Sequence, residues 1–219
     1  IKGLSDLSAK APAMAILRVK NSSGLKVVDK NGEELASLTD VINDYTADKI
    51  IPAFYVSGGD TSTASSLQNY IVTNDIEDAF VISNNGDTLK SVLFRKNVMG
   101  TYSKLIVGGM LEFENAKDLT WKEINVACYN SGARVALIDY NDKTKAELHA
   151  LYDDRLYGVP MSVFIKVDNA TEMQSAVLDG AWGITVSDWK GTIDFMESFK
   201  QNVVVRPMNI IAHRGMDVL

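Results

Sequence analysis

The sequence predicts an α/β chain folded as a (β/α)8 barrel, and three observations carry that prediction. Short β-branched runs alternate with amphipathic helical stretches along nearly the whole chain, the pattern of repeated βα units. Most of the runs are continuously apolar instead of alternating in and out, as parallel strands covered on both faces require. The chain has 219 residues, 46% of them hydrophobic, which suits one domain with a substantial core better than two small ones.

The candidate strands are residues 13–19, 50–56, 79–83, 104–107, 134–139, 161–167, 182–186 and 209–212. Seven lie between residues 13 and 186, and the eighth begins near residue 209. Between the first two, residues 20–34 are polar around the apolar patch 25–29, which reads as a small hairpin. Leu35, Leu38, Val41, Ile42 and Tyr45 then form a helical stripe, with Ser37 and Asp40 spaced as a capping box. Further stripes follow at Leu67, Tyr70 and Ile71, at Leu89, Val92 and Leu93, and at Trp121, Ile124 and Cys128. Met173, Ala176 and Val177 repeat the spacing after Asn169 and Glu172, placed as N-cap and reciprocal partner. Ile193, Met196 and Phe199 form the last stripe. Each stripe reads as core. An open doubly wound sheet is the competing architecture, but Ser57-Gly58-Gly59 is too short for a dinucleotide fingerprint and no other strand runs into a glycine-rich loop.

Composition excludes several functions. A net charge of −6 with scattered cations is a poor match for nucleic acid, whose affinity rests on Lys and Arg against phosphate. The single cysteine, Cys128, allows neither an intrachain disulfide nor a cysteine metal cluster, and reads as a small buried apolar residue. No apolar run reaches the roughly 20 residues of a membrane helix. The chain opens at Ile1, so an upstream targeting segment is compatible with it.

The last stretch, Asn209-Ile210-Ile211-Ala212-His213-Arg214-Gly215, resembles the opening strand of the glycerophosphodiester phosphodiesterases, in which apolar residues run into His-Arg-Gly. Upstream segments resemble the rest of that fold in order. Residues 13–19 with 25–32 are similar to its second strand and hairpin, 76–83 (IEDAFVIS) to a later strand, and 163–188 to the segment ending in GVDGIITD. The resemblance implies a TIM barrel whose first strand is either missing or supplied by residues 208–215. It implies hydrolysis of phosphoric diesters in lipid metabolism, with calcium or magnesium expected for an intact member. It also implies a general acid/base pair of histidines, because a near-neutral imidazole can pass protons to and from the departing and attacking oxygens.

The chain departs from that pattern where the acids belong. On the second strand a Glu-x-Asp pair is expected, and the sequence reads Ile16-Leu17-Arg18; residues 53–59 hold no carboxylate, and residues 21–34 no histidine. No metal ligands are therefore assigned, and no cofactor is expected for this stretch. His213 and Arg214 are the candidate catalytic pair, His213 as acid/base and Arg214 as phosphate clamp. Arg18, at a strand end, is the candidate anion-binding residue. Asp139, Asp142, Asp168 and Asp188 lie at strand ends, where a cation site is conceivable but turn and cap roles are the ordinary explanation. His149, four residues before Asp153, reads as a surface helix pair.

Residues 1–206 are thus expected to form a degenerate barrel. Residues 207–219, entered through Pro207, are expected either to open a second phosphodiesterase domain or to close the first barrel. The expected role is a non-catalytic accessory barrel, a pseudoenzyme domain beside a catalytic one, with a glycerophosphodiester or phosphate-like anion as ligand. The alternative is an active metal-dependent enzyme using His213 and Arg214. By analogy the parent is a bacterial extracellular or membrane-associated protein.

Overall fold

The computed structural model describes residues 13–96, 98–148, 161–188, 190–192, 194 and 209–212. The elements run β1 (Ala13–Asn21), β2 (Leu25–Val28), β3 (Glu34–Ser37), α1 (Leu38–Ala47), β4 (Ile51–Tyr55), α2 (Thr61–Thr73), β5 (Phe80–Ser83) and α3 (Gly86–Leu93). They continue with β6 (Phe94–Lys96), β7 (Tyr102–Lys104), β8 (Gly108–Phe113), α4 (Trp121–Ser131), β9 (Val135–Asp139), β10 (Ser162–Val167), α5 (Ala170–Leu178), β11 (Gly183–Val186) and β12 (Asn209–Ala212).

Eight strands are parallel and their pairing closes on itself. The order is β1, β4, β5, β8, β9, β10, β11, β12 and back to β1. Ile210 of β12 stands opposite Ile184 on one side and Ala13 on the other. Closure leaves neither strand with an unpaired edge along this register. The first-strand slot of the barrel is filled by Asn209–Ala212. Beyond the barrel wall, the end of β1 continues into an antiparallel meander with β2 and β3.

Period-two alternation along the strands divides the apolar residues into two layers. Outward residues such as Ala15, Leu17, Phe54, Val81, Ile138 and Ile165 pack against helical residues including Leu38, Leu67, Leu89 and Ile124. Inward residues, among them Met14, Ile16, Ala53, Ile82, Met110, Leu137 and Phe164, fill the barrel interior. Two Phe–Gly pairs make that filling possible. Phe164 and Phe80 stand in register with Gly183 and Gly108, and a Cβ on either glycine would come within 2.8 Å and 2.5 Å of the facing ring. A large ring needs a vacant neighbour in so narrow a tube.

Local signals explain where the helices start. Asp60 and Asn85 accept hydrogen bonds from the N–H groups of Thr63 and Thr88, each at 2.9 Å. Thr120 and Glu123 form a reciprocal capping box, and Gly132, at φ 81°, ends the same helix in a left-handed turn that favours glycine.

Four expectations need correction. The strand expected at 104–107 is displaced: β7 ends at Lys104, and the barrel strand is Gly108–Phe113. The apolar run Leu105-Ile106-Val107 is the approach to it. Ser37 is the N-cap of α1 but its side chain makes no cap bond, so no capping box forms with Asp40. Leu35 belongs to β3 and is exposed, outside the helical stripe. At α5, Asn169 caps Glu172 as expected, but Glu172 returns its bond to the N–H of Asp168. The stripe expected at 193–199 falls largely outside the described residues.

Candidate anion site at the barrel mouth

Following each strand inward by twos leads from an apolar floor to a polar rim. Met14 and Ile16 on β1 are followed by Arg18, Ala53 on β4 by Tyr55, and Met110 on β8 by Glu112. Leu137 on β9 is followed by Asp139, Phe164 on β10 by Lys166, and Gly183 on β11 by Thr185. All of these sit towards the C-terminal ends of parallel strands, where barrel sites collect because every strand delivers a side chain to one mouth. Arg18, Glu112, Asp139, Lys166 and Thr185, together with Asp168, line a cavity of about 230 Å³ there.

Lys166 organises one side. Its ammonium lies 2.9 Å from Glu112 Oε1 and 2.8 Å from Asp139 Oδ1. Burial works to lower the Lys166 pKa, but the hydrogen bonds and charges of Asp139 and Glu112 outweigh it and hold the group above its ordinary value. The lysine therefore stays charged and both carboxylates are engaged by it.

Arg18 stands on the other side, its guanidinium 4.4 Å from the centre of the Tyr55 ring, its register partner. Among the described residues no carboxylate comes within ion-pair distance of it. The Tyr55 phenol is pushed above its usual range by burial and by the neighbouring Glu112 carboxylate, with Arg18 opposing. Thr185 adds an orphan: its hydroxyl is buried on the cavity wall and finds no hydrogen-bond partner among the described residues. An anion entering here would meet an unneutralised, planar guanidinium and a waiting hydroxyl.

The four strand-end aspartates separate. Asp139 pairs with Lys166, Asp142 accepts the Ala116 N–H at 3.0 Å, and Asp188 accepts the Gly191 N–H at 3.0 Å. Asp168 lines the mouth. Among the described residues no group of three His, Cys, Asp or Glu side chains converges on one point. With Glu112 and Asp139 both bound to an ammonium, the described residues do not present the donor set a divalent cation needs. His213, Arg214 and His149 lie outside the described residues. Cys128 is buried between α4 and β9, and its thiol is pushed up to about 12 by desolvation.

Sequence reading missed Tyr55, Glu112, Lys166 and Thr185. The signal was present as the step of two from the interior residues, but the displacement of β8 from the expected strand at 104–107 hid Glu112, and Lys166 is a lone lysine in an apolar run.

The chain has the fold of the glycerophosphodiester phosphodiesterases. A protein of Agrobacterium tumefaciens assigned as a glycerophosphoryl diester phosphodiesterase superposes with a TM-score of 0.68 at 7% identity, over 91% of this chain and 92% of that one. One from Galdieria sulphuraria assigned as a glycerophosphodiester phosphodiesterase superposes with a TM-score of 0.63 at 11% identity, over 89% of each chain. No family model and no curated protein matches the sequence. The likeness is one of backbone, carried with almost no shared sequence.

Proposed function

We propose that this chain is a non-catalytic barrel of the glycerophosphodiesterase fold that recognises a phosphate-like anion, as an accessory module beside a catalytic domain. One observation carries the proposal: Arg18 of β1, a cation without a carboxylate partner among the described residues, faces a cavity in which Glu112 and Asp139 are already held by Lys166. Where metal-dependent chemistry calls for a cluster of acids, β1 delivers a guanidinium cation to this mouth. A phosphate monoester or diester group, small enough for about 230 Å³, would be bound by Arg18 and the Thr185 hydroxyl. Incubating the chain with glycerophosphocholine and calcium or magnesium should release glycerol 3-phosphate no faster than buffer alone. Sustained turnover proportional to protein would overturn the proposal.

The second reading is an active, metal-dependent glycerophosphodiesterase that uses His213 and Arg214. It draws on β12, which runs parallel to β1 and β11 and so delivers the chain to the same mouth just before these two residues in sequence. Turnover abolished by His213→Ala and by chelation would establish it.

A further inference from the structure

Opposite the mouth, on the face where the strands begin, the β6–β7 hairpin and the segment that follows it carry large apolar side chains into solvent. Val98 is 104% exposed, Ile106 78% and Tyr102 63%. Such a cluster on a projecting hairpin cannot contribute to the barrel's core, and exposed apolar surface of this kind marks a contact site.

Charge is sorted around it. Between Asp87 and Glu112 the sequence holds Lys90, Arg95, Lys96 and Lys104 and no acidic residue, in a chain with 28 acids and 22 bases. Beside the hairpin a second cavity of about 350 Å³ opens between α3, α4 and the start of β9. Its rim holds Lys90, Lys104 and Arg134, its walls Phe94 and Tyr129, and among the described residues no carboxylate lines it. Lys104 spends one hydrogen bond on the Gly132 carbonyl, at 2.8 Å, and its pKa is lowered by desolvation and by the nearby Arg134. Two cations held together, with no anion beside them among the described residues, in a pocket with apolar walls fit a phosphate headgroup attached to something greasy.

We propose that this face docks on an anionic phospholipid bilayer, the hairpin apolar residues entering the interface and Lys90, Lys104 and Arg134 holding lipid phosphates. Neither signal suffices alone, since a few apolar side chains give marginal binding and need a basic patch beside them. Docked in this way, the barrel turns its mouth away from the membrane and towards water-borne ligands.

Vesicle co-sedimentation tests the proposal. With about 30% phosphatidylglycerol in phosphatidylcholine, binding should be at least about tenfold stronger than to phosphatidylcholine alone and should fall steeply in about 0.5 M salt. Val98→Asp and Ile106→Asp, at exposed positions that leave the thermal melt unchanged, should each lower it about fivefold or more. Lys104→Ala with Arg134→Ala should remove the preference for anionic vesicles. Equal binding to neutral vesicles, or binding unaltered in the aspartate variants, would overturn it. So would a chain that ignores vesicles but self-associates through the hairpin, as a loss of dimer in Val98→Asp would reveal.

Discussion

Arg18 and Tyr55 stand side by side in register on adjacent strands, guanidinium over ring at 4.4 Å, at the rim of the barrel mouth. The contact fixes the arginine's plane without neutralising its charge. A guanidinium held by a ring, and not by a carboxylate, keeps its donors available for a ligand. Arg18→Ala should therefore weaken binding of glycerol 3-phosphate by about tenfold or more, and Arg18→Lys should recover only part of it, because an ammonium lacks the planar fork. Calorimetric titration of the three proteins checks this.

Lys166→Met should be destabilising by about 2–4 kcal/mol, since it removes the ammonium that lies 2.9 Å from the Glu112 carboxylate, 10% exposed. Asp139, 48% exposed, should contribute little of that loss. Urea unfolding at neutral pH measures the difference. The pH dependence has a definite sign. The folded pKa of Lys166 is raised above 10.5, so its stabilising contribution is complete below that value and is lost as pH rises through the folded pKa. The wild-type chain should lose stability in that alkaline window more steeply than Lys166→Met does.

Gly183→Ala should cost about 1–3 kcal/mol, because the new methyl would meet the Phe164 ring at 2.8 Å inside a tube with no spare volume. Shrinking the ring should relieve it. A double-mutant cycle with Phe164→Leu is expected to return a coupling energy that is favourable for the pair of changes.

Cys128 should resist thiol reagents in the folded protein. It is buried and its thiol is pushed up to about 12, so almost none is thiolate at about pH 8. Labelling should follow the unfolding curve in urea, with immediate reaction only once the barrel opens.

Much of the barrel was legible because parallel strands leave a blunt trace. The apolar runs at β1, β4, β5, β9, β10 and β11 are long enough to stand out, and β12 was marked by Asn209–Ala212. The strand at β8 was misplaced because its glycines and Glu112 dilute the apolar signal, while Leu105-Ile106-Val107 just before it supplies a stronger but irrelevant one. Gly108 is there for the Phe80 ring, a tertiary reason that no local propensity encodes. Arg18 was found because it interrupts an expected acidic pattern. Lys166, Glu112 and Tyr55 were not, because each is unremarkable alone and acquires its role only when three strands bring them to one mouth.

Calorimetric titration of glycerol 3-phosphate into the chain, with chelator and again with calcium, tests the central claim most directly. Binding that is unchanged by the chelator and lost in Arg18→Ala is the expected result. Binding that appears only with calcium and survives Arg18→Ala would contradict it.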